Sequence, residues 1–209
     1  MSWKKEISQI KLREKLAKQQ GGSEAVKLQH DKGRLTLRER IDLLLDKDSF
    51  DEIGKVAGGA EYDDEGNLLS LTPANFILGF GKIEGQDVIV GGEDFTVKGG
   101  SPNAAGLRKS VYTEDLAVKH KFPLVRLHEG GGGSVAGPSK EKKGYGGDPV
   151  FARSRFKSVA QTLKEVPVVS AALGPVAGLP ASRFVGSHFR IMVKDLSLIH
   201  ISEPTRLRS

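Results

Sequence analysis

Isoleucine and leucine recur at helical intervals among lysines and glutamates near the start of the chain, which predicts helix over residues 3 to 31. Gly21-Gly22 interrupts that run, and Ser23 stands where it can cap a second helix. Thr36-Leu37-Arg38-Glu39 has the form of a capping box, in which hydroxyl and carboxylate each satisfy the other's backbone donor. It opens a helix with Leu37, Ile41, Leu44 and Leu45 on one face, ending near Asp46 to Asp48. The first 55 residues thus form a helical arm that packs on something larger.

The pattern then changes. YDDEGN (62–67) is a turn-rich loop. Asn75 to Ile83 and Asp87 to Val90 are β-rich runs divided by Glu84-Gly85-Gln86, a hairpin signal. A loop from Gly91 to Ser101 leads into a helix over Asn103 to Lys121, with Leu107, Val111, Leu116 and Val118 on its apolar face. Pro123 to Leu127 is a short strand, and His128 to Gly147 a long glycine-rich loop. Arg153 to Lys164 is helical, and Val166 to Leu173 is a β-branched run suited to a strand buried on both faces. Gly174 to Pro180 is a loop, and helix resumes at Ala181. From residue 75 the order is β-β-α-β-α-β-α, without an internal repeat. It implies an α/β domain with a mostly parallel sheet and right-handed crossovers.

Composition narrows the function. The 209 residues are 38% hydrophobic and 28% charged, as in a soluble globular protein. With no cysteine, disulfides, thiolate metal sites and cysteine nucleophiles are excluded. No apolar run reaches the ~18 residues of a membrane span. The N-terminus has neither the apolar stretch of a secretory signal nor the acid-poor character of a transit peptide, so a cytoplasmic location is expected. The net charge of +6 suits an anionic partner, yet Lys and Arg are dispersed and aromatics are only 6%, which fits a phosphate-rich cofactor better than nucleic acid.

The 26 glycines gather in loops, three of which follow strands and precede helices: Gly91 to Ser101, His128 to Gly137 and Gly174 to Gly178. Ligands of open α/β sheets bind outside the carboxyl ends of the strands, where such loops meet. Glycine lets backbone N–H groups approach a ligand closely. A nucleotide P-loop motif and an opening G-x-G-x-x-G are both absent. The runs at 130–133 and 174–178 therefore suit an oxyanion hole, in which N–H groups from separate loops converge on one developing negative oxygen. No catalytic triad is evident: Gly132-Gly133-Ser134-Val135-Ala136 departs from G-x-S-x-G at its last position, and His30, His120, His128 and His188 lack metal-ligand spacing. Glu129, at a strand end, is a candidate base, whereas Glu93-Asp94 suits capping or turn chemistry.

Leu196 to Arg206 (LSLIHISEPTR) matches one reading frame of a transposon-end sequencing adapter without a break. Residues 196–209 are accordingly set aside as an expected adapter translation, and the natural sequence is expected to stop near Asp195, inside a domain.

Four long stretches carry a family resemblance: RLTLRERIDLLLDKDSFDEIG (34–54), GGEDFTVKGGSP (91–102), PLVRLHEGGGGSVAG (123–137) and VPVVSAALGPVAGLPAS (166–182). In that order they resemble the β subunits of biotin-dependent propionyl-CoA and methylcrotonyl-CoA carboxylases, over residues 3 to 195. The resemblance implies the crotonase-superfamily fold of a carboxyltransferase N domain, incomplete here, over residues 56–195. It implies transfer of CO2 from carboxybiotin, carried by a partner biotin carboxylase or carrier subunit, to the α-carbon of an acyl-CoA. Full-length subunits would form a homo-oligomer, with no metal in this chain, and the fragment alone would be inactive. By the same resemblance Gly131, Gly132, Gly133, Ala177 and Gly178 form the oxyanion-stabilising loops. Asp94, Phe95, Gly99, Gly100, Ser101, Gly130 and Gly174 line the acyl-CoA pocket. Departures from the family pattern fall at Gly130, Gly133, Leu179 and residues 138 to 149, which leaves the acyl group open. Two other readings stay open: a single-domain crotonase-fold hydratase or thioesterase, and a basic non-enzymatic module binding RNA.

Overall fold

The structure is a computed structural model, and it describes residues 3–132, 155–194 and 196. Gly133, Ser134 and all but one residue of 196–209 lie outside the described residues.

Local chemistry sets the first elements. Helix α1 spans Lys4–Ala17 and α2 spans Ser23–Asp31. Ser23 is the first residue of α2, not its cap; Gly22 holds the cap position with φ 93° and offers no side-chain acceptor. The capping box opens α3 (Leu37–Leu44) as expected: the Thr36 hydroxyl accepts from the Glu39 N–H at 3.4 Å, and the Glu39 carboxylate accepts from the Thr36 N–H at 2.7 Å.

Strand β1 (Asp51–Glu52) is short. Strands β2 (Gly58–Tyr62) and β3 (Leu68–Pro73) form a separate antiparallel ribbon. Sequence patterning shows only the turn between them, where Asp63 accepts from the Asn67 N–H at 2.7 Å. The ribbon's β2 is exposed throughout, so it lacks the apolar alternation that marks a half-buried strand. Strands β4 (Phe76–Ile83) and β5 (Gln86–Glu93) form the expected hairpin. Its two turn residues, Glu84 and Gly85, both have positive φ (49° and 79°), the signature of a type I′ turn.

The main sheet has the order β1-β4-β5-β6-β7-β8, where β6 is Leu124–Gly130, β7 is Val168–Val176 and β8 is Phe189–Met192. Pairing is antiparallel between β1, β4 and β5 and parallel from β5 to β8. Helices α4 (Ala104–His120), α5 (Arg155–Glu165) and α6 (Leu179–Val185) follow β5, β6 and β7. This is the α/β alternation that the sequence predicts.

Three boundaries differ from expectation. Gly91 and Gly92 belong to β5, His128 to Gly130 to β6, and Gly174 to Val176 to β7. Glycine density suggests loops there, but the parallel ladder runs on, pairing Gly92 with Leu127 and Gly130 with Val176. Strand β8 replaces helix after residue 188; all four of its residues are exposed at the sheet edge, so burial leaves no mark on its pattern.

The sheet is apolar on both faces because alternate side chains point opposite ways. Ile77, Val88, Val90, Val125 and Leu127 pack with Leu37, Ile41 and Leu45 from the α3 region. Phe76, Leu78, Ile89, Leu124 and Val168 pack on the other face with Leu116 and Ala117 of α4. Ile41 is 1% exposed, and burying such a side chain contributes ~1.5–3 kcal/mol. The apolar face expected for α4 is only partly buried. Leu107, Val111 and Val118 are half-buried, while Lys109, Ser110, Thr113 and Glu114 face inward, because α4 partners charged groups of the sheet. Among the described residues no helix is long and apolar enough to cross a membrane.

Candidate functional site

The carboxyl ends of β5, β6 and β7 lie side by side, and each leads into one of the glycine loops. After β5 the chain makes a 3-10 turn at Lys98–Gly100 that folds back on the end of β6. The Gly131 N–H donates to Gly99 O at 3.0 Å, and a Cβ on Gly100 would lie 2.6 Å from Glu129 O. On the opposite side the Ala177 N–H donates to Gly130 O at 2.9 Å. The three loops are thus bonded into one layer.

Within it, Gly132 faces the Ala177–Gly178 peptide. Gly132 has φ 78°, and a Cβ there would stand 3.2 Å from the Ala177 carbonyl and 3.3 Å from the Gly178 nitrogen. Gly178 has φ 63° and ψ −132°, a conformation essentially confined to glycine. The N–H groups of Gly131 and Ala177 are already engaged. Those of Gly132 and Gly178 have no acceptor among the described residues, and they come from separate loops in direct contact. Such a pair can receive an oxyanion.

The remaining sequence candidates divide. Phe95 is half-buried and its ring lies 3.9 Å from where a Gly99 Cβ would be. Ser101 is half-buried, and its hydroxyl oxygen is itself buried without a hydrogen-bond partner among the described residues. Asp94 is 2% exposed; its Oδ1 accepts from the Thr96 N–H at 3.0 Å and the Thr96 hydroxyl at 2.6 Å, which is turn chemistry. Burial pushes the Asp94 carboxyl above its ordinary range despite those two donors. Gly130 is buried against Glu93 and Gly100. Gly174 leaves room for the Glu129 carboxylate, whose atoms stand where its Cβ would be.

Under this layer lies a buried polar network that sequence reasoning missed. Glu93, read as a capping or turn residue, instead accepts from His128 Nδ1 at 3.0 Å. Burial opposes its charge, but the His128 ring and the Arg183 guanidinium outweigh that and hold the carboxyl below its usual range. His128 Nε2 lies 3.4 Å from Ser170 Oγ, so serine, histidine and glutamate stand in triad order across β7, β6 and β5. Ser170 is 0% exposed and bonded to Ser187 at 2.6 Å, which closes it to any substrate. Beside it Glu114 Oε1 accepts from Arg126 Nη2 and Arg183 Nε, both at 2.7 Å. Burial lowers the Arg126 pKa to about 10 against the pull of Glu114. Glu129, the candidate base, is 1% exposed and ion-paired with Arg40 Nη1 at 2.6 Å, so it is held as a structural carboxylate. A signal for these pairs did exist: charges inside the otherwise apolar run Leu124–Glu129 must find partners if that strand is buried.

Comparison with known proteins agrees with this architecture. The family model for the carboxyl transferase domain matches residues 28–208. The propionyl-CoA carboxylase β chain of Roseobacter denitrificans is 32% identical over 200 residues, 95% of this chain and 38% of that relative. The putative propionyl-CoA carboxylase β chain of Bacillus subtilis is 36% identical over 190 residues, 91% of this chain and 36% of its own length. Transcarboxylase 12S, solved with methylmalonyl-coenzyme A and methylmalonic acid bound, has a TM-score of 0.69 at 24% identity, covering 92% of this chain and 36% of that one. A single-chain, multi-domain long-chain acyl-CoA carboxylase has a TM-score of 0.72 at 25% identity, covering 90% and 19%. The chain spans less than two-fifths of the length of these curated relatives. Its fold is the crotonase-like α/β fold of these carboxyltransferases.

Proposed function

Because the chain belongs to the carboxyl transferase domain family, we propose that its strand-end loops hold the thioester of an acyl-CoA and stabilise the enolate that accepts a carboxyl group at the α-carbon. One observation carries this reading: the N–H groups of Gly132 and Gly178, on separate loops in contact, have no acceptor among the described residues. Removal of the α-proton moves an electron pair onto the thioester oxygen. That pair returns as the α-carbon forms its bond to the carboxyl carbon, while the bond from that carbon to its carrier nitrogen breaks and the nitrogen ends with the proton. Two backbone donors fixed on the oxygen favour the charged intermediate over the neutral substrate, and one such donor is worth ~10²–10³ in rate. Carboxybiotin, carried in this reading by a partner subunit, supplies the activated carboxyl group. The described residues act on the acyl-CoA side by binding the thioester and fixing its oxygen. The net charge of +6 favours the phosphates of CoA. The names of the relatives point to propionyl-CoA as the first substrate to try.

The test is titration of the 209-residue chain with propionyl-CoA and with CoA, by calorimetry and by amide NMR. Propionyl-CoA is expected to bind more tightly than CoA and to move the Gly132 and Gly178 amide resonances most. Equal binding of both, or shifts confined to other loops, would refute the reading. Salt-sensitive RNA binding without CoA binding would replace it with the basic-module alternative.

A further inference from the structure

We propose that Glu129 is a positioning residue that ties the N-terminal helices to the thioester-facing loops, making α2 and α3 part of the acyl-CoA site. This inference rests on the acyl-CoA reading of those loops.

Glu129 lies in β6 immediately before Gly130-Gly131-Gly132, and three donors from the N-terminal region converge on its carboxylate. Gln29 Nε2 of α2 donates at 2.8 Å, Arg34 Nη1 of the α2–α3 link at 3.3 Å, and Arg40 Nη1 of α3 lies at 2.6 Å. Arg40 also donates from Nη2 to Leu173 O at 3.4 Å, one residue before Gly174. The carboxylate itself fills the space beside Gly174, and the Glu129 backbone abuts Gly100. One side chain and its own peptide therefore touch all three glycine loops and both helices.

The energetics make the contact directional. Glu129 is 1% exposed, so its charge is tolerated only while its partners stay in place. Arg40, 9% exposed, is its deeply buried cation, while Arg34 is a third exposed and adds less. The Glu129 charge also acts on the Asp94 carboxyl, adding to the burial that raises it above its ordinary range. Any shift of α3 that draws Arg40 away must drag Glu129 or leave a buried charge without its closest counterion. Gly130 is the adjoining residue, and its carbonyl receives the Ala177 N–H. A shift at Glu129 thus reaches both Gly132 and Gly178 through covalent and hydrogen-bonded links.

The experiment compares Glu129→Gln with the parent chain by two readouts. The first is affinity for propionyl-CoA and for CoA, by calorimetry. The second is hydrogen exchange at the pinned Gly131 and Ala177 amides, referenced to Ile89 and Val90 in β5. Expected are a loss of about tenfold in propionyl-CoA affinity with CoA affinity within about twofold, as for weakening a hydrogen bond made only to the thioester. Exchange at Gly131 and Ala177 should accelerate relative to β5. Where Glu129→Gln does not fold, Gln29→Leu keeps the Arg40 pair and carries the same test with a loss of about threefold. Equal losses for both ligands, or no loss with unchanged exchange, would overturn the proposal. If the parent chain shows no preference for propionyl-CoA over CoA, the acyl-CoA reading has failed; exchange at Gly131 and Ala177 then decides by itself whether Glu129 holds the loops.

Discussion

Placing a methyl group on Gly132 strains the proposed oxyanion site directly, and placing one on its neighbour does not. Gly132 has φ 78°, and the left-handed region costs a non-glycine residue roughly 1–2 kcal/mol. The new Cβ would press at 3.2 Å on the Ala177 carbonyl and 3.3 Å on the Gly178 nitrogen, so the two loops must separate by a few tenths of an ångström. At Gly131 the φ is not in that region, and among the described residues a Cβ would meet only Gly99 O, at an ordinary 3.4 Å. With strain of about 2 kcal/mol in a chain of this size, Gly132→Ala should lower Tm by about 4–8 °C, and Gly131→Ala by much less. Separation of the loops misplaces one or both donors, and a net hydrogen bond of about 1 kcal/mol corresponds to about a fivefold weaker Kd for propionyl-CoA. CoA affinity should not change. Scanning calorimetry and titration calorimetry on both variants check this. If Gly131→Ala proves as damaging as Gly132→Ala in either assay, the geometry argued for the two loops is wrong.

Two further predictions follow from the buried charges. Glu114→Leu strips the shared acceptor from Arg126 and Arg183 and should cost about 3–5 kcal/mol in urea unfolding, whereas Glu114→Gln, which keeps one carbonyl oxygen, should cost roughly half. A cost for Glu114→Leu below about 1 kcal/mol would mean that the guanidinium groups find other partners. Burial lowers the Lys109 pKa to about 8, against the opposing pull of Glu52. Between that value and the ordinary lysine range the unfolded chain holds a proton that the folded chain has lost, so this residue's contribution to stability rises with pH across the window. An NMR titration that finds the Lys109 ammonium deprotonating with the exposed lysines would contradict its burial.

Much of the proposed site's location is legible in the sequence. Glycine-rich segments between a strand and a helix occur three times, and parallel pairing forces such segments to one edge of a sheet. Which peptide donors stay open was not legible. Gly131 and Ala177 read as donors equal to Gly132 and Gly178, and only the contact of one loop with another engages the first pair. The partners of Glu129 and Glu93 are hidden from the sequence for a related reason. A carboxylate at a strand end looks available until the strand is seen to run on and the partners arrive from Arg40 and His128.

Features built from neighbours along the chain are legible in residue type: the Thr36–Glu39 cap, the Glu84-Gly85 turn, and the order of strands and helices from residue 76 to residue 185. These rest on backbone dihedral preferences and on hydrogen bonds spanning a few residues, and both are written in residue type. Tertiary structure alone decided where the strands end, which α4 residues turn inward, and which charges are paired. Those outcomes depend on groups brought together from distant parts of the chain, such as Gln29 with Glu129 and Glu114 with Arg183. Burial then fixes them, because a charge removed from water holds its place only where a partner meets it.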